Sequence, residues 1–298
     1  MDASRHIGMA AAIAAGVVWG FLGLAVRELQ AAGFTVMQMT CFRYVVVVVI
    51  FGAFIAVHNR SLLKIDRRLL LILLAMGILG TMLNSMLYFG SMERISLSLS
   101  TVLQYLSPFI VVALSIPLLH ERFTMVKGVA LAVAFLGCVF CTGVLTNDTP
   151  MDVIGIALGA ASGFCYALYT LYSKKIRSEG CSVTTIMFYT GLFCAVALLP
   201  FSDLPRAGEL LMDPGNLLTV VCLGVFLTLL PFGLYNYALG RVEAGKVAIV
   251  TYVEPVAATV VGLAFYGEEV TLGIVIGIAL ILVALALVNR PGADEVPA

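Results

Sequence analysis

Long apolar runs alternate with short polar turns from one end of the chain to the other. A helix crossing a bilayer core of ~30 Å needs about 20 residues. Runs of that length predict spans at 7–26, 35–57, 69–91, 98–118, 125–145, 153–173, 182–201, 216–239, 245–266 and 271–288. They are too long and too uniformly apolar to be the alternating strands of a membrane barrel. The turns between them are short, leaving no room for a soluble domain.

Composition agrees with this pattern. The chain is 61% hydrophobic and 11% charged, with mean hydropathy +1.08, whereas soluble domains sit nearer ~45–50% apolar and ~25% charged. A lipid bilayer is therefore the expected surrounding for most of its surface. The net charge of zero offers no basic footprint for nucleic acid. Seven cysteines make an odd number. Six of them (Cys41, Cys138, Cys141, Cys165, Cys194 and Cys222) stand in apolar runs and read as small core residues rather than as a disulfide framework or zinc site. The first run is too long for a signal-peptide core, so it is read as a retained helix.

Charge gives the expected orientation. With the N-terminus in the cytoplasm, thirteen Lys and Arg residues fall on the cytoplasmic side. Only Arg27, Arg94 and Arg206 fall opposite, and Arg43 lies within a span. This bias predicts both termini inside and an even number of spans.

The halves repeat. A shift of 147 residues brings Gly77 onto Gly224, Thr81 onto Thr228, Tyr88 onto Tyr235 and Arg94 onto Arg241. The same shift brings Tyr105 onto Tyr252, Pro108 onto Pro255, Glu121 onto Glu268 and Thr124 onto Thr271. A slightly smaller shift pairs Gly16 and Gly20 with Gly159 and Gly163. Five spans per copy is an odd number, so the second copy is expected to thread the membrane upside down. Residues 1–147 and 148–290 are the two expected units, with 291–298 a cytoplasmic tail. Inverted repeats suit alternating-access carriers, in which two equivalent halves exchange conformations.

The stretches Tyr105-Leu-Ser-Pro108 followed by Glu121-Arg122, and Tyr252-Val-Glu-Pro255 followed by Gly267-Glu268, resemble the two repeats of the EamA-type transporters of the drug/metabolite transporter superfamily. Tyr235-Asn-Tyr-Ala-Leu-Gly-Arg241 adds to the likeness. The resemblance implies ten helices in an inner (plasma) membrane and a central cavity. That cavity is lined by the third, fourth, eighth and ninth spans with contributions from the first, second, sixth and seventh, and the fifth and tenth lie towards the periphery. It also implies export of amino acids or related metabolites. Ser107 stands where the second repeat has Glu254, so a symmetric acid pair is not expected.

Several residues are candidates for contact with the solute. Glu254 is the one carboxylate deep in a predicted span, and a buried carboxylate must face a cavity, be paired or be protonated. It is a candidate for proton coupling, for a substrate amine or for a structural hydrogen bond. Arg43, the one basic residue well inside a span, is read as a partner for Glu254, a contact for a substrate carboxylate, or a bond to a free backbone carbonyl. Gln38, Asn84, Gln104 and Asn236 are neutral hydrogen-bonding candidates. Trp19, Tyr88, Tyr105, Tyr166, Tyr189, Tyr235 and Tyr252 offer flat apolar faces with polar tips. Tyr105 and Tyr252, one turn from the prolines, are the preferred contacts. Proline in a helix frees the carbonyl four residues back, so Pro108, Pro231 and Pro255 are candidate hinges that release Gln104, Leu227 and Thr251. The glycine repeats Gly16/Gly20, Gly155/Gly159/Gly163 and Gly273/Gly277 allow close helix packing. In the last span this means packing within the chain or a homodimer contact, so monomer and homodimer both stay open.

Other functions fit less well. The only histidines, His6, His58 and His120, fall in tails or turns. No intramembrane nucleophile–base pair or metal site is expected, and no cofactor. No span is read as carrying a lysine, which argues against a retinal Schiff base and, with a single Arg, against a phosphate-bearing cargo. The expected function is an exporter of small amphipathic metabolites. A passive facilitator or channel is the alternative.

Overall fold

The computed structural model describes residues 2–145, 152–267 and 269–290. Glu268 and the tail at 291–298 lie outside them. The described residues are helical, with no strand. Eight helical segments are long and apolar enough to cross a membrane. In chain order these are α1 (Ala3–Ala31), α2 (Val36–His58), α3 (Arg67–Met92), α4 (Leu97–Leu119), α6 (Val153–Ser178), α7 (Val183–Phe201), α8 (Pro214–Leu239) and α9 (Ala244–Tyr266). Two apolar helices of 17 residues complete the set, α5 (Met125–Cys141) and α10 (Leu272–Val288). Large apolar side chains such as Val49, Phe54, Leu71, Leu136, Phe226 and Val275 stand on the outside. A surface so apolar is stable only against lipid.

Local chemistry starts and stops these helices. Thr35 and Gln38 form a reciprocal capping box at the start of α2, and Asp66, Ser96, Thr124, Ser182, Asp213 and Thr271 cap others through their side chains. Each side chain satisfies one of the free N–H groups of a first helical turn. Asp152 caps α6, and the hydrogen bond from the Gly155 N–H is the main reason its carboxyl titrates below the usual range. α4 and α9 end alike. His120 (φ 55°) and Gly267 (φ 63°) occupy the left-handed region at equivalent positions.

The two halves are interleaved. α1 lies against α8 and α9, and α6 lies against α3 and α4; α2 packs on α7 and α5 on α10. Small residues permit these approaches. A Cβ added at Gly8 would stand 3.0 Å from Arg241 Cβ, and one at Gly155 would stand 2.9 Å from Arg94 Cβ. Gly16 would meet the Thr251 carbonyl at 3.4 Å, and Gly163 the Gln104 carbonyl at 2.9 Å. Gly77 abuts Phe193, and Gly224 abuts Val46. Every one of these contact pairs is related by 147 residues. The first span therefore keeps the same register as the rest, and Gly16 matches Gly163; the smaller shift read from the glycine spacing was wrong. Gly277 faces the Gly137 carbonyl, so the last glycine repeat packs within the chain.

α6 orients the turns. Arg94, in the turn between α3 and α4, pairs with Asp152 at the start of α6 at 3.2 Å. Near the other end of α6, Lys174 donates to the carbonyls of Leu239 and Val242, at the turn between α8 and α9. With 26 residues rising ~1.5 Å each, α6 separates these two turns by most of its length.

Two lysines depart from expectation. Lys127 and Lys246 are buried, on α5 and α9, with relative exposures of 2% and 1%. Lys127 pairs with Glu243 at 2.7 Å. Both sit at helix starts, where Glu243, in the turn before α9, reaches them.

Candidate substrate cavity

A cavity of about 140 Å³ lies between the halves. Residues from α1, α2, α3, α4, α6, α8 and α9 line it; α5 and α10 lie outside, and α7 gives it no lining residue.

Irregular helix shapes the walls. α3 and α8 each carry a π-helical stretch, Met76–Leu83 and Val225–Leu229. In both, a threonine hydroxyl reaches five residues back: Thr81 to Met76 and Thr228 to Leu223. α4 and α9 break just before their prolines, at residues 105–106 and 251–252. Pro108 and Pro255 then sit in the first turn of the following segment, where a missing N–H costs least. The freed-carbonyl reading fails for Thr251, whose carbonyl accepts from the Glu254 N–H at 3.0 Å. Pro231 likewise stands in a first turn, directly after the π-helical stretch of α8.

Eight of the thirteen candidate residues line the cavity: Trp19, Arg43, Asn84, Tyr88, Gln104, Tyr105, Tyr166 and Glu254. Asn84 donates to the Ser162 carbonyl at 2.7 Å, and Gln104 donates to Asn84 at 3.4 Å. Tyr88 shares a 2.8 Å hydrogen bond with Thr101. Tyr105 and Glu254 face the same cavity, and the Tyr105 ring lies 5.5 Å from that of Tyr252.

Arg43 and Glu254 are the charged side chains of the lining. Neither reading that tied Arg43 to the protein holds. It makes no ion pair with Glu254, and its buried Nε has no hydrogen-bond partner among the described residues. Its guanidinium carbon lies 5.1 Å from the Tyr44 ring centroid.

Five candidates lie elsewhere. Gln38 is spent on its capping box and reaches the Asp203 carbonyl; Thr-x-x-Gln at a helix start was legible as that motif. Tyr189 donates to the Leu63 carbonyl at 2.9 Å, near the start of α7. Tyr235 stands behind the wall, fully buried, bonded to Thr170 and packed on Trp19 and Tyr166. Tyr252 is also fully buried and donates to the carbonyl of its repeat mate Tyr105 at 2.6 Å. Of the preferred tyrosine pair, only Tyr105 reaches the cavity. Asn236 too is buried, bonded to Tyr169, Ser173 and the Phe232 carbonyl.

Sequence reading missed Tyr44, Phe89 and Phe232 in the lining. Phe232 packs edge-on against Trp19 with centroids 5.1 Å apart and lies 6.4 Å from Tyr44. Nothing distinguishes these rings in the sequence from rings that face lipid.

Comparison with known proteins identifies the architecture. The model of the EamA-like transporter family matches residues 6–143 and 153–290, two copies in one chain. An uncharacterized transporter of Archaeoglobus fulgidus is 31% identical over 204 residues, 68% of this chain and 71% of that protein. The uncharacterized inner membrane transporter YicL of Salmonella typhimurium is 26% identical across 96% of both chains. The threonine/homoserine exporter RhtA of Escherichia coli is 26% identical over 185 residues, 62% of this chain and 60% of that one. A solved crystal structure superposes with a TM-score of 0.80 at 18% identity, covering 96% of this chain and 98% of the other, which establishes a shared fold. The chain belongs to the EamA-like transporter family and is a multi-pass transporter of the plasma membrane.

Proposed function

We propose that this transporter exports amino acids or similar small amphipathic metabolites by alternating access. The observation that carries this reading is the presence of one basic and one acidic side chain, Arg43 and Glu254, in a cavity walled mostly by aromatic rings, hydroxyls and amides. A zwitterion with an apolar or hydroxylated side chain matches such a lining. Its two charges meet the two fixed charges, and its side chain meets the rings. The likeness to a threonine/homoserine exporter supports the same class.

In this reading all ten helices cross the bilayer. The 17-residue α5 and α10 fall at the short end of the spanning range. The second five-helix unit threads inversely to the first, and both termini are cytoplasmic. The charge bias and the separation of the two turns along α6 support this arrangement. The two halves rock about the cavity, and the helix breaks before Pro108 and Pro255, with the irregular turn before Pro231, serve as hinges.

The test is counterflow in proteoliposomes with a panel of L-amino acids. Preloading with unlabelled substrate is expected to accelerate uptake of the labelled form, as only a carrier with an alternately exposed site does. Uptake without such stimulation would support a channel or facilitator, and no uptake of any amino acid would remove the substrate class.

A further inference from the structure

We propose that Arg43 recognises a carboxylate of the cargo, making a free carboxylate a condition of transport; this rests on the amino-acid reading of the cavity. An arginine inside a membrane protein is costly unless its donors are used. Here the buried Nε–H has no acceptor among the described residues, and Glu254 is not in an ion pair with it. Several polar neighbours already use donors within the protein. Thr81 gives its proton to the Met76 carbonyl and Ser85 to the Thr81 carbonyl. The Asn84 amide is held by the Ser162 carbonyl, and the Gln104 amide by Asn84. A cargo anion entering the cavity therefore finds a cationic donor with an unused N–H at Arg43. The planar guanidinium fork matches a carboxylate in two parallel hydrogen bonds, which an ammonium does not. The Tyr44 ring beside it supplies a face on which the guanidinium can rest.

Trp19 is the chain's single tryptophan and lines the same cavity, so its fluorescence reports binding directly. Purified full-length protein in detergent would be titrated with L-threonine and L-phenylalanine, their methyl esters, 2-phenylethylamine and 3-phenylpropionate. The free acids are expected to bind about tenfold or more tighter than their esters, the worth of one charge-assisted hydrogen bond. Arg43→Gln is expected to abolish that ratio by weakening the acids far more than the esters, and Arg43→Lys to retain part of it. An equal affinity of the wild type for acid and ester would overturn the proposal, and that measurement needs no variant. So would an acid preference that survives in Arg43→Gln. Arg43-dependent binding of 3-phenylpropionate without any amino-acid transport would remove the amino-acid reading and keep the assignment of Arg43. Failure of every carboxylate to bind would remove both.

Discussion

Glu254 and Ser107 occupy the same place in the two repeats, yet only one is an acid. Glu254 is the carboxylate of the cavity lining, so any proton that travels with cargo through this site is best carried there. In proteoliposomes, a pH gradient is expected to drive wild-type transport and to have no effect on Glu254→Gln, whose counterflow persists at weakened cargo affinity. A gradient response that survives the substitution would move coupling elsewhere. His120 and Gly267 form a second unequal pair. Both hold left-handed backbone at a helix C-terminus, a conformation that costs a residue with a Cβ ~1–2 kcal/mol and glycine little. Since Gly267 shows what the position accepts, His120→Gly is expected to stabilise the protein by about 1 kcal/mol once glycine's greater unfolded-state entropy is counted. Thermal unfolding in detergent measures this, and a lowered midpoint would mean that the imidazole makes a compensating contact.

Four of the helices that line the cavity, α3, α4, α8 and α9, are irregular beside it, while α2 and α6 run through unbroken. The π-helical stretches of α3 and α8 and the breaks in α4 and α9 recur at equivalent positions of the two repeats. Backbone groups that leave the helical ladder are tolerated in a membrane only inside protein or beside water, so these irregularities gather around the cavity. The breaks also divide α4 and α9 into segments able to tilt separately. Healing one of them should slow the exchange of conformations without altering the site. Pro255→Ala is expected to reduce turnover roughly tenfold while leaving cargo affinity, read by Trp19 fluorescence, unchanged. Loss of affinity with unaltered turnover would assign the proline to the shape of the cavity instead.

At the scale of the whole molecule, the contacts between halves repeat with a constant register of 147 residues, from Gly8–Arg241 and Gly155–Arg94 to Gly77–Phe193 and Gly224–Val46. Because each copy's first helix lies on the other copy's third and fourth, neither unit buries its own interior alone. Glu121 ties the halves at one end, accepting hydrogen bonds from the N–H groups of Ala244 and Gly245 at 2.6 and 3.2 Å. The inverted threading has a direct test. Exposed cysteines introduced as Glu93→Cys and Arg241→Cys, with the native cysteines removed, are expected to react with an impermeant maleimide on opposite faces of the membrane, the first in intact cells and the second only after permeabilisation. Labelling of both from one side would sink the inverted arrangement.

The amino-acid sequence by itself was enough to place the spans to within a few residues, to find the repeat, and to pick out Arg43 and Glu254. Each of these depends on summed local composition or on a charge standing alone in an apolar run, and such signals need no knowledge of neighbours. Tertiary structure decided which polar and aromatic residues face inward. In a helix surrounded by lipid, the outer face is as apolar as the packed one, so no hydrophobic stripe marks the interior. Gln38 and Arg43 lie on the same helix, yet one caps it and the other lines the cavity. Tyr235 and Phe232 lie one turn apart, and the less polar of the two is the one exposed to cargo. Those choices were made by glycines and alanines meeting backbone across the chain, at separations no local pattern encodes.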